Sequence, residues 1–309
     1  MQFRPFDFDR DFPLLEEFHN RFNPDYHREA GDFRLQEEHR PKDAFVERYV
    51  GEKDGEPTCA FMYGTQYWAD APGRRIVEHY TGLDDAADSL KEILDWSYRR
   101  MEEEGAKELN AWSRDDRPQV NELLESEGFR LIESQPVSRL DLSTFSPNGF
   151  PTEIPGIRLT TIAELEAEGV DWLPDWFEAI CEIVVDIPSK QQVTPPPYEE
   201  VCEWVANHDL YRRNLMFVAL DEGKIVGYSG IRHSKANPDM GETGLSGTLR
   251  SHRRRGIVSA LKVFALKSAR DMGYRRIQTD NLDHNPMFGI NQRLGFKTAF
   301  SWVHYLKEF

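Results

Sequence analysis

The stretch Gly247-Thr248-Leu249-Arg250-Ser251-His252-Arg253-Arg254-Arg255-Gly256-Ile257 joins two different periodicities. Residues 243–250 read as a strand. After the stretch, Val258, Leu261, Ala265 and Met272 recur near helical spacing up to Gly273, which reads as a C-cap. A helix that starts there leaves its first backbone N–H groups unpaired and carries a partial positive charge; glycine lets an anion approach the backbone, and arginines add charge. The pattern reads as a seat for a phosphate group, pyrophosphate in particular. A solvated basic face or a nucleic-acid contact is the competing reading of the same arginines.

Working outward, residues 157–162 alternate as a strand, and residues 163–186 read as one helix running to a stop at Pro188. A further helix is expected over 198–207. Strands over 215–220 and 225–232 flank the turn Asp221-Glu222-Gly223-Lys224. Beyond the decisive helix come a short strand over 276–279, a helix opened by Pro286, and a closing strand over 296–306. Trp172, Trp176 and Phe177 read as core rather than as a ligand pocket.

The chain repeats itself. A shift of 168 residues lays Tyr49-Val50 on Phe217-Val218, Gly55 on Gly223, Gly105 on Gly273 and Pro118 on Pro286; after a one-residue slip Glu127-Gly128-Phe129 answers Leu294-Gly295-Phe296. With 309 residues and 39% hydrophobic side chains, two cores are expected. The boundaries read as a first domain over 1–146, a linker over 147–156 within a Pro-, Gly- and Ser-rich stretch, and a second domain over 157–309. Cys59, Cys181 and Cys202 form no C-x-x-C pair, which argues against a zinc site or a disulfide framework. No apolar run is long enough to span a membrane and the N-terminus is too acidic for a signal peptide, so a cytoplasmic protein is expected.

Charge is uneven. The net charge of −16 argues against nucleic acid as a partner of the whole chain. Residues 1–146 carry 19 basic and 33 acidic side chains, residues 147–224 carry 5 and 15, and residues 225–309 carry 14 and 6. A basic segment in an acidic protein suits an anionic ligand held there and a cationic one received elsewhere.

The quoted stretch is similar to the strand-to-helix motif Q/R-x-x-G-x-G/A of the GNAT superfamily of acyl-CoA-dependent N-acyltransferases. Asn285-Pro286-Met287 and Asn291-Gln292-Arg293-Leu294-Gly295-Phe296 extend the resemblance over residues 157–309, and the whole resembles tandem chains similar to mycothiol synthase. It implies an α/β fold of two tandem domains, each a mostly antiparallel twisted sheet flanked by helices. It also implies acetyl-CoA as co-substrate, no metal, and a small-molecule amine as acceptor, in a monomer or homodimer with no nucleic-acid or membrane partner. On this resemblance the amides around Arg253, Arg254, Arg255, Gly256, Ile257 and Val258 hold the pyrophosphate. The Thr248 backbone pairs with the pantetheine arm, the Ser246 amide faces the thioester carbonyl, and Asn285 contacts the cofactor from the opposite side. Two positions depart from the pattern: Val258 stands at the final G/A, and Asn291 stands where many members place the tyrosine that protonates the leaving thiolate.

Chemistry requires an uncharged amine, hence a base or a desolvated pocket. Glu242 precedes Ser246 by four residues, so both are expected on one strand face, with Glu242 as base. Asp186 is a candidate anchor for a cationic substrate. In the first copy the offset puts Asp84-Asp85-Ala86-Ala87-Asp88 where His252 to Gly256 stand, so that copy is expected to bind no CoA, its helix start capped by its own carboxylates. The alternatives to acetyl transfer are a CoA-binding sensor or structural pseudoenzyme and, against the net charge, nucleic-acid binding through residues 250–255.

Overall fold

The computed structural model describes the chain apart from residues 39, 42–43, 66–72, 148, 188–194, 196, 208–211 and 283–284. Pro188, the expected helix stop, lies outside the described residues. In chain order the elements are β1 (Gln2–Pro5), α1 (Phe12–Phe22), α2 (Ala30–Glu38), β2 (Val46–Lys53), β3 (Glu56–Thr65), β4 (Arg74–Thr81), α3 (Ala86–Glu104), β5 (Glu108–Arg114), α4 (Pro118–Ser126) and β6 (Arg130–Asp141). They continue with β7 (Ile157–Thr161), α5 (Ile162–Ala167), α6 (Leu173–Val184), α7 (Tyr198–Asn207), β8 (Met216–Asp221), β9 (Lys224–His233), β10 (Met240–Thr248), α8 (Ile257–Asp271), β11 (Arg276–Asp280), α9 (Pro286–Arg293) and β12 (Lys297–Glu308).

The repeat is written into the backbone. β3 and β9 are offset by 168 residues at both ends, and Pro118 and Pro286 open α4 and α9. The paired turns share left-handed dihedrals: Asp54 and Gly55 have φ 54° and 83°, Glu222 and Gly223 have 50° and 85°. Gly105 and Gly273, just beyond α3 and α8, have φ 70° and 94°.

The chain divides into residues 1–135 with 300–309, and residues 136–299. This differs from the division expected at 146 and 157. In the first unit the strand order is β1-β2-β3-β4-β5-β12, antiparallel except for β4 with β5, and Trp302–Glu308 of β12 pair with Arg114–Glu108 of β5. The expected last strand of the second domain thus closes the first unit. In the second unit the order is β6-β11-β10-β9-β8-β7, antiparallel except for β10 with β11, and Val137–Asp141 of β6 supply the edge strand beside β11. Alternation identifies a strand but not its partner, which is why the closing strands were exchanged in the reading from sequence.

Two further corrections have local causes. The helix expected over 163–186 is two helices. α5 is opened by a Thr161/Glu164 capping box, Gly169 at φ 76° follows its end, and α6 restarts with Pro174 in its first turn. The segment 147–156 packs with the second unit rather than running free: Phe150 and Ile154 lie against its α8-side core, which also contains Phe145 and Leu142. In that unit α8 covers one face of the sheet over Phe217, Ala219, Ile231 and Ile277. α6 and α7 cover the other over Met216, Val218, Leu220 and Tyr228, with Trp172 and Trp176 buried among them.

Candidate active site

β10 and β11 are paired over only three positions, from Met240 with Arg276 to Glu242 with Gln278. β10 continues to Thr248 and β11 to Asp280. On its other side β10 changes register against β9: Thr243 faces Ile231, but Ser246 faces Ser229. Three residues of β10 therefore answer two of β9, which is a bulge over Gly244 and Leu245. Parallel pairing that stops, beside a strand that bulges, leaves a fork whose β10 edge runs from Thr243 to Thr248 and has no ladder partner on the β11 side among the described residues.

The bulge overturns one expectation. Residues directly opposite each other share a face, and the partners of Glu242 and Ser246, namely Arg232 and Ser229, are three residues apart. Glu242 and Ser246 thus present their side chains to opposite faces. The neighbouring glycine corroborates this: a Cβ on Gly247 would stand 2.4 Å from Ile183 of α6. Ser246 accordingly points to the α8 side, where its hydroxyl lies 2.9 Å from that of Ser229. Glu242 lies on the α6 face and is paired with Arg232 at 2.9 Å.

From Thr248 the chain turns into α8. Gly227 of β9 allows close packing here, since a Cβ on it would stand 3.1 Å from both Leu261 Cδ1 and Thr248 Cγ2. The loop holds two left-handed residues, Arg254 at φ 62° and Gly256 at φ 80°. Gly256 is the N-cap residue and provides no side chain to occupy the free N–H groups; the first helical bond is from Ala260 N to Gly256 O, at 3.0 Å. A non-glycine residue held left-handed is strained, and such strain concentrates at ligand sites. Ile257 is buried under the helix, while the Val258 side chain is half-buried and its N–H belongs to the open first turn.

The arginines of this loop are held by carboxylates. Asp186, just past α6, receives Arg250 through Nε at 2.8 Å and also pairs with Arg253. These two guanidinium groups hold its carboxyl well below the usual range. Asp221, at the end of β8, takes Arg255 Nη1 and His252 Nε2, each at 3.1 Å, and Arg255 first and His252 after it lower its pKa. Glu182 accepts the Arg250 backbone N–H at 2.5 Å. Asp186, expected to meet a cationic substrate, is thus engaged with the phosphate loop. Arg254 has no ion pair among the described residues. Beside the loop a cleft of about 520 Å³ is lined by Glu178, Glu182, Asp221, Glu222 and His252, so part of the acidic charge of residues 147–224 serves this loop.

Asn285 is the N-cap of α9, its Oδ1 accepting the Met287 N–H at 2.9 Å. Asn291 is buried; its Nδ2 reaches Asn281 Oδ1 at 2.7 Å, and its own Oδ1 has no partner among the described residues. The sequence reading missed Asp280, the last residue of β11. It shares the α6 face with Gln278 and Glu242, because it is two residues past Gln278 on the same strand. Desolvation and then the charge of Glu242 push its carboxyl up, against a smaller opposing effect of Arg232. A carboxyl at the end of a short strand carries no pattern by which sequence alone would single it out.

The first unit lacks these features. α3 begins after Asp85 in an ordinary conformation, with Asp84, Asp85 and Asp88 exposed around its start. The expected capping is absent, since Asp85 makes no side-chain cap bond; what remains is negative charge where a phosphate would need the opposite. Beyond Val77 and Ala111, the last paired residues of β4 and β5, buried side chains pack together. Arg117 donates to Phe22 O and Asn23 Oδ1, both at 2.8 Å, and lies over the Phe22 ring, which is tilted against that of His79.

Residues 177–296 match the Acetyltransferase (GNAT) family. That stretch is a GNAT-family domain by this match, and the fold of the chain is that of tandem GNAT proteins. It is similar to a tandem GNAT protein from the clavulanic acid biosynthesis pathway (16% identity, TM-score 0.72, covering 99% of this chain and 98% of that one). It is also similar to a GCN5-related N-acetyltransferase from Sphaerobacter thermophilus (18%, 0.69, 99% and 95%) and to a GNAT-family acetyltransferase from Colwellia psychrerythraea (11%, 0.64, 100% of each). A search of curated proteins by sequence gave no match. Among the described residues no helix is long and apolar enough to cross a membrane, and no three His, Cys, Asp or Glu side chains cluster as metal ligands.

Proposed function

We propose that the second unit transfers an acyl group, acetyl in the first instance, from acyl-CoA to a primary amine of a small molecule by direct attack in a ternary complex. The observation that carries this is the continuity of the fork with the glycine-opened start of α8, an unpaired strand edge leading into unpaired helix N–H groups. In this reading the amides of Arg254 to Val258 hold the pyrophosphate, with Arg253, Arg254 and Arg255 adding charge. The free edge of β10 at Thr248 pairs with the pantetheine arm. The Ser246 amide, beside the bulge, faces the thioester carbonyl, and Asn285 meets the cofactor from the α9 side. Glu242 serves amine deprotonation from the α6 face. Asp186 acts as a positioning residue for Arg250 and Arg253. The first unit binds no CoA.

A second reading, a CoA-binding sensor without turnover, is favoured by Asn291, which puts a buried amide rather than a hydroxyl near the leaving group. With a thiol pKa near roughly 8.5, the thiolate leaves without a strong acid, so catalysis is the better account. Thiol release from acetyl-CoA against a panel of alkylamines decides between them: amine-dependent release supports transfer, and binding without release supports the sensor. The acceptor is expected to be cationic, steered by the acidic charge, so its kcat/KM should fall as ionic strength rises.

A further inference from the structure

The α6 face of the fork holds a second carboxylate in a different chemical situation from Glu242. Glu242 is tied to its cross-strand partner Arg232. Asp280 lies two residues beyond the last paired position of β11, where the fork opens, and its carboxylate has no side-chain partner among the described residues. On its other side Asp280 faces Val137 of β6, an apolar neighbour, while Arg139 of the same strand is engaged by Gln278 at 2.8 Å. Among the described residues, the charged groups around Asp280 are Glu242 on β10 and Arg232 on β9, with Arg139 paired two residues along β6. The next residue, Asn281, accepts a hydrogen bond from Asn291, whose Oδ1 is buried and has no partner among the described residues, so the polar end of the fork continues past Asp280.

Resting on the acyltransfer reading above, we propose that Asp280 is the group that takes the proton from the ammonium acceptor, while Glu242 acts through Asp280 by the negative charge it sets beside it. The Glu242 carboxylate is occupied by the Arg232 guanidinium at 2.9 Å, whereas Asp280 stands where the fork opens. The Asp280 side chain is exposed at the end of β11, where a proton can pass on to solvent, and local desolvation, followed by the charge of Glu242, raises its affinity for that proton. The step balances as follows. An ammonium proton moves to the Asp280 carboxylate and from there to solvent. The freed lone pair forms the N–C bond at the thioester carbonyl, and the C–S bond breaks. A second proton from nitrogen ends on the departing sulfur, giving amide, thiol and one released proton.

The test uses the full chain, acetyl-CoA and two kinds of nucleophile: a panel of alkylamines that are ammonium ions at neutral pH, and hydroxylamine, which is largely uncharged there. Asp280→Asn should lower alkylamine-dependent thiol release by about a hundredfold or more and leave hydroxylamine-dependent release and CoA affinity near wild type. Its remaining alkylamine activity should climb with pH. Glu242→Gln should retain more activity than Asp280→Asn. It should also move the Asp280 carboxyl titration, followed by carbon NMR of labelled aspartate, toward the ordinary aspartate range. If alkylamine turnover survives in Asp280→Asn, or Asp280 titrates as an ordinary aspartate in the wild type, the assignment is overturned and acyl transfer stands. If no amine releases thiol in the wild type, the acyltransfer reading fails and takes the assignment with it.

Discussion

Replacing Gly256 by aspartate sets a carboxylate at the start of α8. The substitution is not a steric one: a Cβ there would stand 3.4 Å from Pro151 Cγ and 3.6 Å from Ile154 Cδ1, which is ordinary contact. Two effects remain. The residue sits at φ 80°, where a side chain costs about 1 kcal/mol and lowers the population of the competent loop. The new charge would stand roughly 4 to 5 Å from a phosphate on the helix N–H groups, worth about 1 kcal/mol at the dielectric of water and about 4 kcal/mol near a protein surface. The flanking Arg253, Arg254 and Arg255 are exposed, so a value near 2 kcal/mol is appropriate for the charge, and with the backbone effect about 3 kcal/mol in all. That is roughly a hundredfold loss of CoA affinity, read by calorimetry. Gly256→Ala, which carries only the backbone effect, should lose about fivefold. Asp88→Gly in the first unit should change neither affinity nor a stoichiometry of one. The reasoning is refuted if Gly256→Asp binds CoA within threefold of wild type, or if two CoA molecules bind per chain.

Lys262 is buried on α8, and desolvation lowers its pKa to about 8. Because the unfolded chain binds this proton more tightly, its contribution to stability rises with pH between about 8 and 10.5. Lys262→Met should therefore stabilise the protein at pH 7, by up to about 3 kcal/mol, seen as a higher Tm and a flatter alkaline stability profile. His19 and His79 in the first unit are buried neutral, their pKa values lowered by desolvation to about 4 and about 3. Protons are then taken up by the unfolded chain first, so stability contributed by these groups is lost as pH falls from about 6.5 towards 3. Denaturant titrations between pH 7 and 4 should show that loss, reduced in His79→Phe. A gain in stability on acidification would contradict it.

The parts legible in the sequence are those set by local chemistry. Gly256 after three arginines, the turn at Asp221 to Lys224, and the glycines at 105 and 273 each need a particular backbone, so they mark element ends and expose the 168-residue repeat. What the sequence hid was long-range pairing. Residues 300–309 alternate as any strand would, and nothing in their pattern says that β5 rather than β11 is their neighbour. The opposed faces of Glu242 and Ser246 depend on a bulge over Gly244 and Leu245, where a single extra residue inverts the alternation. Asp186 and Asp221 were visible as carboxylates, but their engagement with Arg253 and Arg255 depends on how α6 and β8 end beside the loop. Phe150 and Ile154, read as linker, bury apolar surface beside α8.

The central claim is that the fork between β10 and β11 and the start of α8 form one continuous seat for an acyl-CoA. A crystal structure of the full chain grown with acetyl-CoA tests it most directly. The account predicts one molecule per chain, its pyrophosphate on the amides of Arg254 to Val258, its pantetheine arm along β10 at Thr248, and its thioester between Ser246 and the end of β11. Acetyl-CoA bound in the first unit, or bound in the second with the thioester outside the fork, would contradict it.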